Sequence, residues 1–201
     1  MPSQSRSRAT VDAILQAATY ILRKDGFAAL TTNRIAAKAG VNIASLHQYF
    51  PNKHAIVAEL HRRFMDDVHG RIEAVPPSSL DVPLARVVRE GVRAALGTMA
   101  VDPPLMRAFF EELPARERTA RPLDPAIADQ WRRAFERKLV GVPDPALALW
   151  IWDEVLDALC LAACAKRPEL LSSPLFAAEL TTLLERYLVR SSADPHPSPR
   201  P

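Results

Sequence analysis

Apolar residues recur every three or four positions along most of the chain, which is the spacing of one face of an α-helix. The polar residues 1–8 precede the first such stripe, and Thr10 is placed to cap a helix that starts there. Breaks rich in Pro and Gly separate the later stripes. The pattern predicts an all-α fold of about nine helices. The first stripe comprises Val11, Ile14, Leu15, Ala18, Ile21 and Leu22.

The stretch Leu30–Lys53 predicts two short helices joined by a tight turn. Either threonine of the pair at 31 and 32 can cap the first helix, and Gly40 can take the left-handed conformation that ends it. Asn42 can cap the second helix, and Pro51 stops it. Two helices across a Gly-containing turn are typical of the helix-turn-helix, whose second helix enters the major groove of DNA.

The last two predicted helices are the most apolar. Residues 146–165 are apolar on nearly all sides, and residues 176–188 add a second broad stripe. If exposed, they would form a larger apolar patch than monomers usually carry, so we expect a homodimer with a four-helix interface. Leu180 and Leu184 are expected to point outward. The predicted interface residues are Leu156, Leu159, Ala163, Phe176, Leu180, Leu184 and Tyr187.

Charge is distributed unevenly along the 201 residues. Residues 1–55 hold seven Lys and Arg against two Asp, whereas the whole chain has a net charge of only +3. The basic excess therefore lies in the part that carries the helix-turn-helix, as phosphate binding requires. A solvated basic surface would give the same composition.

The run Ala44-Ser45-Leu46-His47-Gln48-Tyr49-Phe50, followed by Lys53, resembles the DNA-binding domain of the TetR/AcrR family of bacterial transcriptional regulators. His47 departs from that pattern, because the family commonly carries Tyr there. The resemblance implies a helix-turn-helix head at 1–52 and a regulatory and dimerisation body at 53–190. The tail at 191–201 is rich in Pro and Ser, which predicts disorder. It also implies a repressor that binds a palindromic operator and is released by a small apolar or amphipathic effector.

The resemblance assigns DNA contacts within the helix-turn-helix. Phosphate contacts are implied for Thr32, Tyr49 and Lys53, and base contacts for the segment Ile43, Ala44 and Ser45 together with His47. Asn33 and Asn42 are further candidates at the starts of the two helices. Elementary chemistry agrees, because hydroxyl, phenol and ammonium groups bind phosphates, and Ile and Ala offer apolar contact to a thymine methyl group.

Aromatic and methionine side chains of the body are candidates for an apolar effector pocket, although each one alone suits an ordinary core equally well. The predicted effector-binding residues are Phe64, Met65, Met99, Met106, Phe109, Phe110, Trp131, Phe135, Trp150 and Trp152.

Other classes of function receive less support from the sequence. Asp153, Glu154 and Asp157 are compatible with a carboxylate-bundle enzyme or carrier, but the His partners of such sites are missing. A body that only dimerises and binds no effector is a further alternative. We expect no enzyme activity, no cofactor and no metal. Cys160 and Cys164 are expected to be buried reduced thiols. The chain shows neither a signal peptide nor an apolar run of 18 residues. We therefore predict a cytoplasmic protein without membrane contact.

Overall fold

The computed structural model describes residues 2–76, 81–114 and 124–188. Over these ranges the backbone forms nine α-helices and no β-strand, which confirms the predicted all-α fold. Short 3₁₀ helices lie at Phe27–Ala29 and Pro168–Ser172. The α-helices are α1 (Pro2–Asp25), α2 (Thr32–Ala39), α3 (Ile43–Tyr49), α4 (Lys53–Glu73), α5 (Leu84–Ala100), α6 (Pro103–Glu112), α7 (Pro125–Glu136), α8 (Pro145–Lys166) and α9 (Pro174–Leu188).

Helix α1 begins at Pro2, so the prediction that Thr10 caps it is wrong. Thr10 lies inside the helix, and its hydroxyl donates a hydrogen bond of 2.9 Å to the carbonyl oxygen of Arg6. A threonine hydroxyl can bond to the carbonyl four residues earlier without ending a helix. The helix therefore continues upstream of Thr10, and Ile14 is the first fully buried residue in the part of α1 from Arg6 onward.

Helices α1–α4 and α6 form one compact unit. Its core is apolar, and helix α6 contributes to it beside α1. Phe50 is buried in this core, and Phe27 is half-buried. The side chains that are at most 1% exposed include Ile14, Leu22, Leu30, Ile35, Leu46, Ile56, Met106 and Phe109.

A buried carboxylate ties α6 to α1. Asp102 is 5% exposed and caps α6, because its Oδ1 accepts a hydrogen bond of 3.3 Å from the backbone N–H of Leu105. Its Oδ2 accepts a hydrogen bond of 2.6 Å from Nε of Arg23 on α1. One side chain thus serves as a helix cap and as half of an ion pair.

Helices α5, α7, α8 and α9 form the second compact unit. Helix α5 packs against α8 and α9. Gly91 permits a close approach in this unit, since a Cβ there would lie 3.0 Å from Cζ2 of Trp152 on α8. Cys160 and Cys164 are buried and not joined in a disulfide, as predicted, and burial raises the pKa of the Cys160 thiol to about 12.

The expectation that Leu180 and Leu184 point outward is wrong. They are only 3% and 2% exposed within a single chain, because α9 packs chiefly against α5. Leu183, by contrast, is 51% exposed.

The boundaries of the compact units differ from those of the predicted domains, because the first unit contains α4 and α6 as well as α1–α3. Where an independently folding domain ends, at residue 52 or later, stays a prediction. The predicted tail at 191–201 lies outside the described residues. No helix within the described ranges is both long enough and apolar enough to cross a membrane.

Candidate nucleic-acid interface

Local hydrogen bonds fix the start of α2. Thr31 has an extended backbone, and its hydroxyl accepts a hydrogen bond of 3.2 Å from the backbone N–H of Arg34. The Arg34 guanidinium donates to the carbonyl oxygen of Ala29 at 2.9 Å and to Oδ2 of Asp25 at 2.6 Å. Thr31 is therefore the cap, and Thr32 and Asn33 form the first turn, where backbone N–H groups have no partner within the helix.

The turn between α2 and α3 has the geometry that the sequence predicted. Gly40 adopts φ 68°, and its N–H donates to the carbonyl oxygen of Ala37 at 3.3 Å. The N–H of Val41 donates to the carbonyl oxygen of Ala36 at 3.0 Å. These two bonds form a Schellman motif, which favours Gly because a Cβ strains the left-handed conformation. Asn42 then caps α3, with Oδ1 accepting from the N–H of Ala44 at 2.8 Å.

Helix α3 presents almost its whole surface to solvent. Leu46 is its one fully buried residue, at 0% exposed, whereas Ala44, His47 and Gln48 are exposed. Successive helical residues are rotated by about 100°, so Ala44 and Gln48 lie nearly opposite Leu46. The outermost line of α3 therefore consists of Ala44 and Gln48, with His47 on one flank and half-buried Ser45 on the other.

Ile43 and Tyr49 lie between that outermost line and the core, and they are 36% and 37% exposed. Lys53 opens α4, and its Nζ lies 4.0 Å from the ring centroid of Phe27. Asn52 caps the same helix, because its Oδ1 accepts from the N–H of Ala55 at 2.9 Å. This cation–π contact holds the Lys53 ammonium group against the ring of Phe27.

Two of the seven basic residues in this region are engaged in ion pairs, namely Arg23 with Asp102 and Arg34 with Asp25. Lys38 instead lies over the exposed ring of Tyr20, with Nζ 3.8 Å from the centroid. The structure gives neither Lys38 nor Lys53 an acidic partner among the described residues. These ammonium groups thus keep their positive charge available to an anionic ligand.

Sequence analysis missed Gln48 as a candidate contact. Its side chain is exposed on the same line as Ala44, and an amide can bind adenine through two hydrogen bonds in the major groove. The spacing of four residues from Ala44 was the available signal, because residues four apart share one face of a helix.

The predicted effector-binding residues divide between the two units. In the first unit Phe109 packs against His61 and Phe64, with ring centroids 5.1 Å and 5.8 Å apart, and Met65, Met106 and Phe110 belong to the same unit. In the second unit the rings of Phe135 and Trp152 lie 6.4 Å apart. Met99, Trp131 and Trp150 belong there too, and Trp150 is 59% exposed.

An open groove of about 710 Å³ lies between α5 and α9 in the second unit, and we call it the α5–α9 groove. None of the ten predicted effector-binding residues lines it.

The three carboxylates of α8 are exposed. Desolvation by the apolar helix, with the charges of Asp157 and Glu154, raises the pKa of Asp153 to about 6. Within the described ranges no three His, Cys, Asp or Glu side chains are grouped as a metal site requires.

Two family patterns match the chain. Residues 14–60 match "Bacterial regulatory proteins, tetR family", and residues 83–188 match "Tetracyclin repressor-like, C-terminal domain". The second match alone covers more than half of the chain.

A curated relative and two solved structures resemble the chain. The transcriptional repressor KstR2 of Rhodococcus jostii strain RHA1 is 34% identical over 68 residues, which is 34% of this chain and 33% of KstR2. The match thus spans about a third of that relative's length.

Thermus thermophilus FadR in complex with lauroyl-CoA is 19% identical, with a TM-score of 0.59 over 92% of this chain and 99% of the other. Bacillus subtilis FadR in complex with stearoyl-CoA is 16% identical, with a TM-score of 0.58 over 88% and 97%. At these identities the structures show a shared fold. KstR2 and both FadR proteins are transcriptional regulators, which favours a regulator over the carboxylate-bundle alternative.

Proposed function

Because this chain belongs to the TetR family of bacterial regulatory proteins, we propose that it is a ligand-responsive transcriptional repressor. It binds a palindromic operator as a homodimer in the cytoplasm, and a small apolar or amphipathic effector releases it. The observation that carries the proposal is the surface of α3, which buries only Leu46 and leaves its polar and small side chains exposed. An ordinary core helix would bury a much wider stripe.

Within this proposal α3 lies in the major groove. Ala44 and Ile43 contact thymine methyl groups, and His47 and Ser45 hydrogen-bond to base edges. Asn42 uses its amide nitrogen, since its Oδ1 is occupied by the cap. Tyr49, Lys53, Thr32 and Asn33 contact phosphates on either side of the groove.

The first test is to search the intergenic DNA beside the gene for an inverted repeat and to footprint it with the protein. That DNA is then titrated with variants of the protein. His47→Ala should weaken specific binding by about 10- to 100-fold. Lys53→Ala should weaken all sequences alike and reduce the slope of log affinity against log salt by about one unit.

Arg71→Ala serves as the matched control. Arg71 is an exposed cation of the same helix α4, but it lies 18 residues after Lys53, which is about 27 Å along the helix. Its removal should leave the salt slope unchanged. An unchanged slope for Lys53→Ala would show that Lys53 does not contact phosphate.

We propose that the dimer forms through α8 and α9, as the apolar surface of the unit requires. On α9 the half-buried Phe176 and Tyr187 lie on the same face as Leu183. Leu183→Glu should give monomers or aggregates in sedimentation and abolish operator binding. Thr182→Glu is the control, because it places the same charge on the preceding residue, which lines the α5–α9 groove instead.

The two FadR structures suggest which compounds to test as the effector. Two FadR structures hold long-chain acyl-CoA, so acyl-CoA thioesters are the first compounds to test. Lauroyl-CoA added to the operator complex should lower fluorescence anisotropy toward that of free DNA and quench tryptophan fluorescence. If acyl-CoA thioesters, hydrophobic drugs and aromatic compounds all fail to release DNA, the body only dimerises.

A further inference from the structure

The α5–α9 groove is lined by charged side chains from both of its helices. Its α5 side carries two guanidinium groups, Arg89 and Arg93, one helical turn apart on one face. The structure gives neither of them an ion-pair partner among the described residues, although the nearby Arg86 is paired with Glu90.

The α9 side carries a carboxylate that lacks a donor. Oε1 of Glu185 is shielded from solvent and has no hydrogen-bond partner in the described part of the chain. The other oxygen of this groove-lining carboxylate, Oε2, is not shielded in this way, so it can accept a hydrogen bond from a ligand in the groove.

The floor of the groove is small and open. Gly97 lies in the middle of the α5 stripe, and a Cβ built on it meets no atom within 4 Å. Ala177 and Ala178 line the opposite side. Glycine inside a helix costs about 1 kcal/mol relative to alanine, so this position sacrifices helix stability and leaves space.

We propose that the α5–α9 groove binds a small oxyanion, either a phosphate ester or a carboxylate, that also carries a hydroxyl or amino group. The guanidinium groups of Arg89 and Arg93 bind the oxyanion, for which their planar fork of donors is suited. The hydroxyl or amino group donates to the other carboxylate oxygen of Glu185, Oε2. The site is separate from the ten predicted effector-binding residues, and its occupation does not require the proposed repressor function.

Two pairs of probes test this chemistry on the full-length protein without DNA. Glycerol 3-phosphate and methyl phosphate differ mainly in hydroxyl donors, as do glycerate and acetate. We expect the hydroxylated member of at least one pair to bind in isothermal titration calorimetry or backbone-amide NMR, at least about fivefold more tightly than its partner. The pair that binds identifies the oxyanion.

Three variants locate the binding. Gly97→Leu places a side chain in the groove at a position where a Cβ meets no atom within 4 Å, and it should abolish binding, whereas Gly70→Leu, at another open helical glycine on α4, should not. Arg89→Met combined with Arg93→Met should weaken both members of the binding pair by at least about tenfold. Glu185→Gln should remove the preference for the hydroxylated member. Circular dichroism verifies that each variant is folded.

Three results would overturn the proposal. One is the absence of binding by all four probes at 10 mM, which is roughly the upper limit for a weak specific site. Another is binding that Gly97→Leu leaves intact, which would place the probes elsewhere. The third is a preference for hydroxylated probes that survives Glu185→Gln, which would mean that the carboxylate accepts no hydrogen bond from the ligand.

Discussion

Replacing Asp102 should reveal how strongly α6 is held to α1. Asp102→Ala removes the cap of α6, which is worth about 1 kcal/mol, and the charge-assisted hydrogen bond to Arg23, which is worth about 1.5–3 kcal/mol in a buried setting. Arg23 is 59% exposed, so solvent screening reduces the second contribution. We expect a total loss of about 2–3 kcal/mol in the free energy of unfolding.

Asp102→Asn separates the two contributions, because its side-chain oxygen can still cap α6 while its charge is gone. It should cost about 1 kcal/mol less than Asp102→Ala if the cap is retained. A double-mutant cycle of Asp102→Asn with Arg23→Met isolates the ion pair, for which we expect a coupling free energy of about 1 kcal/mol.

The assay is urea denaturation followed by circular dichroism at pH 7.5, at one fixed protein concentration because dimerisation would shift the midpoint. A coupling free energy below about 0.3 kcal/mol would refute the reasoning, since it is the scale expected of independent sites. The buried Asp102 carboxylate would then be stabilised mainly by the N–H groups of its own helix.

Two further predictions concern helix ends and titration. Asn42→Ala removes the cap of α3, so it should lower the free energy of unfolding by about 1 kcal/mol and weaken operator binding by about 5-fold. Asn52→Ala removes the equivalent cap of α4 and should lower the free energy of unfolding by a similar amount, with a smaller effect on operator binding. Equal effects on operator affinity would contradict the role of the α3 cap. Asp153→Asn should raise the melting temperature at pH 7.5 but not at pH 4. The folded-state pKa of Asp153 is about 6, which lies above its unfolded value. The stability of the native protein therefore falls as the pH rises from about 4 to 6. The same gain at both pH values would show that Asp153 carries no such penalty.

The helix-turn-helix could be predicted closely because short-range chemistry determines it. Gly40 and Asn42 act on backbone groups two to five residues away, and both lie in the structure as the sequence indicated. Thr10 shows the limit of the same reasoning. A hydroxyl residue before an apolar stripe is compatible with a cap and with the inside of a longer helix, and only the upstream backbone decides between them.

The long-range errors have a different cause. Helical spacing finds the apolar stripe of α9, but it does not indicate which surface covers that stripe. Leu180 and Leu184 are buried within the chain itself, where α9 packs chiefly against α5, whereas Leu183 is exposed and available to another molecule. The α5–α9 groove was likewise beyond sequence reasoning, because it depends on which residues of two distant helices come together.

The membership of α6 in the first compact unit limits how the protein can be recombined with its relatives. A gene segment that ends after α4 would encode α1 without the Asp102 that pairs with its Arg23, and without the Phe109 that packs against His61. Such a fragment would expose apolar surface that α6 normally covers. A chimera that borrows the first compact unit should therefore carry two separate coding segments, so recombination by a single crossover is disfavoured.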